Sequence, residues 1–134
     1  MPNAFDKMRT SAFIQYLGAE FISSTDGPPT MRLTVREELL QVMGVTHGGV
    51  IGALVDTAIG AAVAHAVGGR EPNIVTVEFK VNLLAPSRLG DVLTTTAELL
   101  HHGRQTFVGL ARVTNQKGQL IASGTATYLR LLGG

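Results

Sequence analysis

The chain of 134 residues contains no cysteine and no tryptophan, and its aromatic content is limited to five Phe and two Tyr. Without thiols, disulfide bridges, thiolate nucleophiles and cysteine-ligated metals are all excluded. Charge of either sign is sparse: 11 basic and 10 acidic side chains leave a formal net charge of +1, with no basic run and no interleaving of basic with aromatic residues. Nucleic acid and anionic membrane are therefore not expected partners. The N-terminal stretch "MPNAFDKMRTSAFIQYLG" scatters charges among its apolar residues and lacks the uninterrupted apolar core of a secretory signal. A cytoplasmic location is the expectation. The length suits one domain, 1–134, with a core of useful size.

What the sequence does have is one long, almost uncharged stretch, "THGGVIGALVDTAIGAAVAHAVGG", residues 46 to 69, which carries a single carboxylate, Asp56. It approaches membrane-spanning length. A lone Asp at the middle of a span costs roughly 2.5 to 3.5 kcal/mol on insertion scales, and the segments around it read as strands of a soluble domain. A buried helix from Gly48 to Val67, closed by Gly68-Gly69, is the better account. Because this helix is apolar on nearly every side, a sheet must wrap round it or a second subunit must cover the remainder.

Phe5, Met8, Phe13, Ile14 and Leu17 fall at helical spacings and predict one amphipathic helix over residues 4 to 17, stopped at Gly18. Residues 19 to 38 read as two strands around a turn at Asp26-Gly27-Pro28, the second alternating Met31, Leu33 and Val35 against Arg32, Thr34 and Arg36. After the apolar helix, "NIVTVEFKVNLLAP" predicts a strand that buries Val75, Val77, Phe79, Val81 and Leu83 and turns Thr76, Glu78, Lys80 and Asn82 to its polar face. Three further strands follow, separated by turn signals at 86–90, 102–103 and 116–118. Such short connections predict antiparallel neighbours. The fold class is α+β, an antiparallel sheet packed on a long helix.

The stretch "THGGVIGALVDTAIGAA", followed by "TVEFKVNLLAPSRLGDVLTTTAELLHHGRQTFVGLARVTNQKGQLIASGTATYL", resembles the hotdog-fold acyl-CoA thioesterases, in particular the phenylacetate-degradation-type group with its HGG-x₆-D pattern. The resemblance covers about residues 41 to 129 and includes all three turns in order. It implies a long central helix wrapped by a curved antiparallel sheet, assembly into homodimers and often homotetramers, and hydrolysis of acyl-CoA to free acid and CoA without a cofactor. By position it implies that Asp56 is the catalytic carboxylate and that the backbone N–H of Gly48 polarises the thioester carbonyl. Thr76 falls where some members have a Ser or Thr beside the attacking water. Gln41, six residues before His47, falls where many members carry Asn and others Gln. His47 and Gly49 flank the carbonyl position and are the expected substrate-binding residues.

Elementary geometry bears on the same residues. Gly48 and Asp56 are separated by about 12 Å along a helix rising 1.5 Å per residue. One thioester carbonyl cannot touch both in the same chain, so a joint role demands the carboxylate of a second copy. His47 lies about 13 Å from Asp56 along the axis and half a turn out of phase; capping or loop ordering suits it better than service as a base. Asp56 can act as general base on water or as a nucleophile forming a mixed anhydride, and both routes stay open. His65 reads as a core or interface residue and His101-His102 as a strand end, and no His spacing predicts a metal site. CoA's phosphates need cations, and Arg70, Arg88, Arg104 and Lys117, at or near turns, are the candidates, although any single one reads first as a solvated surface charge. Two other functions fit the pattern: a non-catalytic acyl-CoA-binding module, and a hotdog hydratase or dehydratase that would need His47 and Asp56 together.

Overall fold

The apolar stretch after His47 folds as one 19-residue helix, α3 (Gly48–Ala66), and every other element is arranged around it. The computed structural model describes residues 4–23, 26–68 and 73–131. Gly69 and Arg70 of the expected helix stop and turn lie outside the described residues. Leu54, Val55, Ala58, Ile59 and Val63 of α3 are wholly buried, as its composition demands. Gly68 ends the helix at a φ of 78°, a left-handed conformation that glycine adopts without strain. Among the described residues α3 is the one helix long and apolar enough to cross a membrane, and 67% of its apolar window is buried inside the protein.

Six antiparallel strands wrap α3 in the order β1-β2-β4-β5-β6-β3. These are β1 (Glu20–Ile22), β2 (Thr30–Thr34), β3 (Ile74–Leu83), β4 (Val92–His102), β5 (Thr106–Thr114) and β6 (Leu120–Arg130). The alternation read in β2 holds, with Met31, Leu33 and Val35 buried under the helix. The expectation that the last four strands are sequential neighbours fails at its first step: β3 pairs with β6, and residues 84–91 carry the chain past β5 and β6 to β4. A short connection can span this distance because the sheet curls round α3. The two short turns after β4 and β5 do join neighbours.

The predicted N-terminal helix is broken into α1 (Ala4–Arg9) and α2 (Ala12–Leu17). The break falls at Ser11, whose ψ of 130° is extended and whose carbonyl accepts the Gln15 N–H to start α2. Ile14 and Leu17 of α2 enter the core, and Gly18 stops the helix at a φ of 81°. The Arg36 guanidinium donates to the carbonyls of Tyr16 and Leu17 and satisfies the end of α2.

Strand β3 departs from strict alternation, and the departure matters for the site. A β-bulge between Thr76 and Glu78 inserts one residue, which reverses the facing of the strand on either side. Thr76 therefore faces α3 instead of the polar side, and so do Phe79 and Leu83, whose side chains reach Gly52 and Gly48 of the helix. Val75 and Val77 are 40% and 54% exposed, and Phe79 and Leu83, although they face α3, are 49% and 58% exposed, so of the five residues expected to be buried only Val81 is partly covered by this chain.

Helix and sheet approach closely because β6 turns Ala122, Gly124 and Ala126 inward. A Cβ on Gly124 would lie 2.5 Å from the Lys80 carbonyl oxygen and 2.9 Å from Val55. Gly124→Ala is therefore expected to destabilise the fold by about 1–3 kcal/mol, read as a lower denaturation midpoint in urea. An unchanged midpoint would contradict the close approach of β6 to β3 and α3.

Candidate active site

Two clusters lie along α3, one at its N-terminus and one two turns further on. His47 is the N-cap: its φ and ψ of −61° and 135° are extended, and its Nδ1 accepts the Gly49 N–H at 2.8 Å. An accepting Nδ1 places the ring proton on Nε2. The capping role read in the sequence is the geometry observed, and it engages the Gly49 amide. Gly48 is the first helical residue, so its N–H has no acceptor within the helix, and no loop carbonyl of the described residues takes it.

Gln41 comes to the same place through the connector before α3. Its backbone N–H donates to Val45 at 2.8 Å, its carbonyl accepts from Gly44 at 2.9 Å, and its side-chain Oε1 accepts from the Met43 N–H. The Nε2 group, a donor, is the part of the amide left over. Gln41 and Gly48 line one cavity of about 260 Å³, with apolar walls that include Ile51, Leu83, Leu84 and Ile121. The connector is held against the 84–91 crossover by a buried pair that sequence reading did not single out. Thr46 N–H donates to the Ser87 carbonyl at 2.8 Å, and Ser87 Oγ donates to Thr46 Oγ1 at 2.6 Å.

The second cluster is centred on Asp56, which is half-buried. Thr76 Oγ1 donates to its Oδ1 at 2.7 Å, a contact that exists because the bulge turned Thr76 inward. Tyr128 of β6 reaches it from another strand, its hydroxyl standing 2.8 Å from Oδ1 and 2.6 Å from the Asp56 carbonyl oxygen. Burial, reinforced by the neighbouring Asp56 carboxylate, pushes the Tyr128 phenol well above its ordinary pKa. It stays protonated and remains a donor. Oδ2 of Asp56 takes no hydrogen bond from the described residues.

Tyr128 is the member of this cluster that sequence reading missed. A signal was present: positions 122, 124, 126 and 128 read Ala, Gly, Ala, Tyr, a stripe of small inward residues ending in one large polar-tipped ring, and Gly60 sits one helical turn after Asp56. The structure thus brings Gln41 to Gly48 and Thr76 to Asp56. It does not bring the two pairs together in one chain, since neither Asp56 nor Thr76 lines the cavity of Gln41 and Gly48. His65, expected in a core or interface, is exposed on this chain, and His102 stacks on Phe107 with ring centroids 5.0 Å apart. Among the described residues no group of three or more His, Asp or Glu is arranged to hold a metal ion.

A single long helix enclosed by one curled antiparallel sheet, with a glycine N-terminus facing a cavity, defines a hotdog-fold protein of the thioesterase kind. Residues 43–122 match the family model described as Thioesterase superfamily, and the chain belongs to that family. It is 31% identical over 120 residues to the acyl-coenzyme A thioesterase PaaI of Escherichia coli, covering 90% of this chain and 83% of that one. The solved structure of E. coli PaaI superposes with a TM-score of 0.83 at 30% identity, covering 98% and 92% of the two chains. A 1,4-dihydroxy-2-naphthoyl-CoA hydrolase of Listeria monocytogenes is 30% identical over 113 residues, 83% of this chain and 89% of the other. A thioesterase protein of Streptococcus pneumoniae, solved with coenzyme A, superposes with a TM-score of 0.75 at 31% identity, covering 84% and 85%.

Proposed function

We infer that this protein hydrolyses acyl-CoA thioesters to free acid and CoA, at composite sites to which two copies of the chain contribute. Thioester hydrolysis is the chemistry of its family. The observation that carries the composite reading is the separation of the two clusters, about 12 Å along one helix. The N–H of Gly48 and the Nε2 of Gln41 provide donors for a carbonyl oxygen at the positive end of the α3 dipole. Asp56, steadied by Thr76, provides the base or nucleophile. A twofold pairing of antiparallel helices places the Asp56 of one subunit opposite the Gly48 of the other.

The surface supports the pairing. β3 is a ten-residue edge strand that exposes Val75, Val77, Phe79 and Leu83, and such an edge needs a cover. Beside it, Gly49, Ala53, Asp56 and Thr57 form the side of α3 that the chain's own sheet leaves incompletely covered. His47 and Gly49 do not line the cavity of Gln41 and Gly48 and lie exposed at the start of α3; they are read as meeting the substrate outside it. The enzyme is read as cytoplasmic and homo-oligomeric, a dimer at least.

In the reaction the thioester carbonyl oxygen accepts the Gly48 and Gln41 donors. Water activated by Asp56 then forms the new C–O bond, the C–S bond breaks, and the proton taken from water passes to the CoA thiolate. Direct attack by Asp56 gives the same products through a mixed anhydride that water then hydrolyses. The test is free-thiol release from aryl, aryl-acetyl and aliphatic acyl-CoAs. Stoichiometric thiol and acid are expected from at least one class; folded protein that releases thiol from none of them would contradict the reading.

A further inference from the structure

The Asp56 carboxylate is held asymmetrically, and the device that holds it involves residues no part of the hydrolytic reading requires. Tyr128 is 7% exposed and stands at the end of β6, with its hydroxyl lying against one turn of α3. That hydroxyl has one proton and two acceptors within reach, Oδ1 at 2.8 Å and the backbone carbonyl at 2.6 Å, and both belong to Asp56. The proton is shared between them in a three-centre bond weighted towards the charged Oδ1, where the hydrogen bond is the stronger. Gly60 supplies the space: a Cβ there would stand 2.6 Å from the Tyr128 oxygen. A glycine in mid-helix is unfavourable relative to alanine, and here the phenol occupies the volume it leaves.

We propose that Tyr128 is a positioning residue that, with Thr76, pins the Asp56 carboxylate by Oδ1 and so presents Oδ2 as the oxygen that acts on water or on the thioester. The proposal builds on the hydrolytic role of Asp56 stated above. Two hydroxyl donors on one oxygen fix the rotation of the carboxylate and occupy that oxygen's lone pairs. Oδ2, which no described residue engages, keeps its lone pairs for the reaction. Burial holds the phenol in its protonated, donor form.

The test is Tyr128→Phe in the full-length protein, assayed by thiol release over a range of acyl-CoA concentrations alongside Asp56→Asn. A ring of the same shape keeps the packing, so the thermal midpoint should stay near wild type. Loss of one hydrogen bond to a charged group should lower kcat about tenfold or more, with KM within about twofold. Gly60→Ala, which displaces the phenol without deleting it, should lower kcat in the same way and serves where Tyr128→Phe does not fold. Unchanged kcat in both variants, or a fall matched by loss of folded protein and a rise in KM, would overturn the positioning role. If Asp56→Asn also turns over normally, it is the hydrolytic reading that fails; if Asp56→Asn is inactive while Tyr128→Phe is not, only the positioning proposal fails.

Discussion

Asp56→Asn is expected to lower kcat by about 10²–10⁴-fold, the range that a positioned acid–base group contributes. The substitution keeps the shape of the side chain and one carbonyl oxygen. Thr76 and Tyr128 can therefore go on donating to the oxygen they now bind at 2.7 and 2.8 Å. What is lost is the negative charge and the lone pair that takes a proton from water or attacks the carbonyl. KM should change little, because the lost charge acts in the transition state and not on the bound substrate. Thermal unfolding of the variant checks that the fold is intact. A folded Asn variant with near-normal kcat would show that Asp56 is only a structural acceptor for the two hydroxyls.

Gly48→Pro is expected to lower kcat by about 10²–10³-fold, the cost of removing one donor from a site that stabilises a developing oxyanion. Proline deletes the N–H itself, which no ordinary side-chain substitution does. The position tolerates it for three reasons. Residue 48 is the first of α3, where proline's fixed φ and missing donor are accepted. His47 already has a ψ of 135°, as a residue before proline prefers. The added Cβ meets only the Leu83 Cδ1, 3.0 Å away, the free end of a side chain that can turn. The helix should persist, which far-ultraviolet circular dichroism would check. If the Pro variant turns over like wild type, the carbonyl oxygen does not bind this amide.

Much of this arrangement was legible in the sequence. The glycine after His47 and the carboxylate eight residues on were visible as the two features that a buried apolar helix does not need. Their distance along the axis followed from helix rise alone. The alternation of Met31, Leu33 and Val35 likewise specified which face of β2 is buried. The failures have local physical causes. A hydrophobic alternation cannot reveal a bulge, and the one between Thr76 and Glu78 decides which way Thr76 points. The break at Ser11 leaves no mark in the apolar spacing, which runs through it unchanged. Tyr128 stayed hidden because it is 72 residues from Asp56 in the chain and reads as an ordinary strand aromatic. The β3–β6 pairing was not legible because connection length does not disclose how far a sheet curls.

Subunit mixing decides whether each site takes its carbonyl donor from one subunit and its carboxylate from another. Gly48→Pro and Asp56→Asn proteins, each inactive alone, are dissociated together, reassembled at equal concentrations and assayed for thiol release, with heterodimer formation followed by native mass spectrometry. A heterodimer holds one site with both defects and one with neither. Random reassortment therefore should restore about a quarter of wild-type turnover per subunit. Heterodimers that form but show no more activity than the two parents would mean that Gly48 and Asp56 serve the same site from the same chain, and would contradict the account.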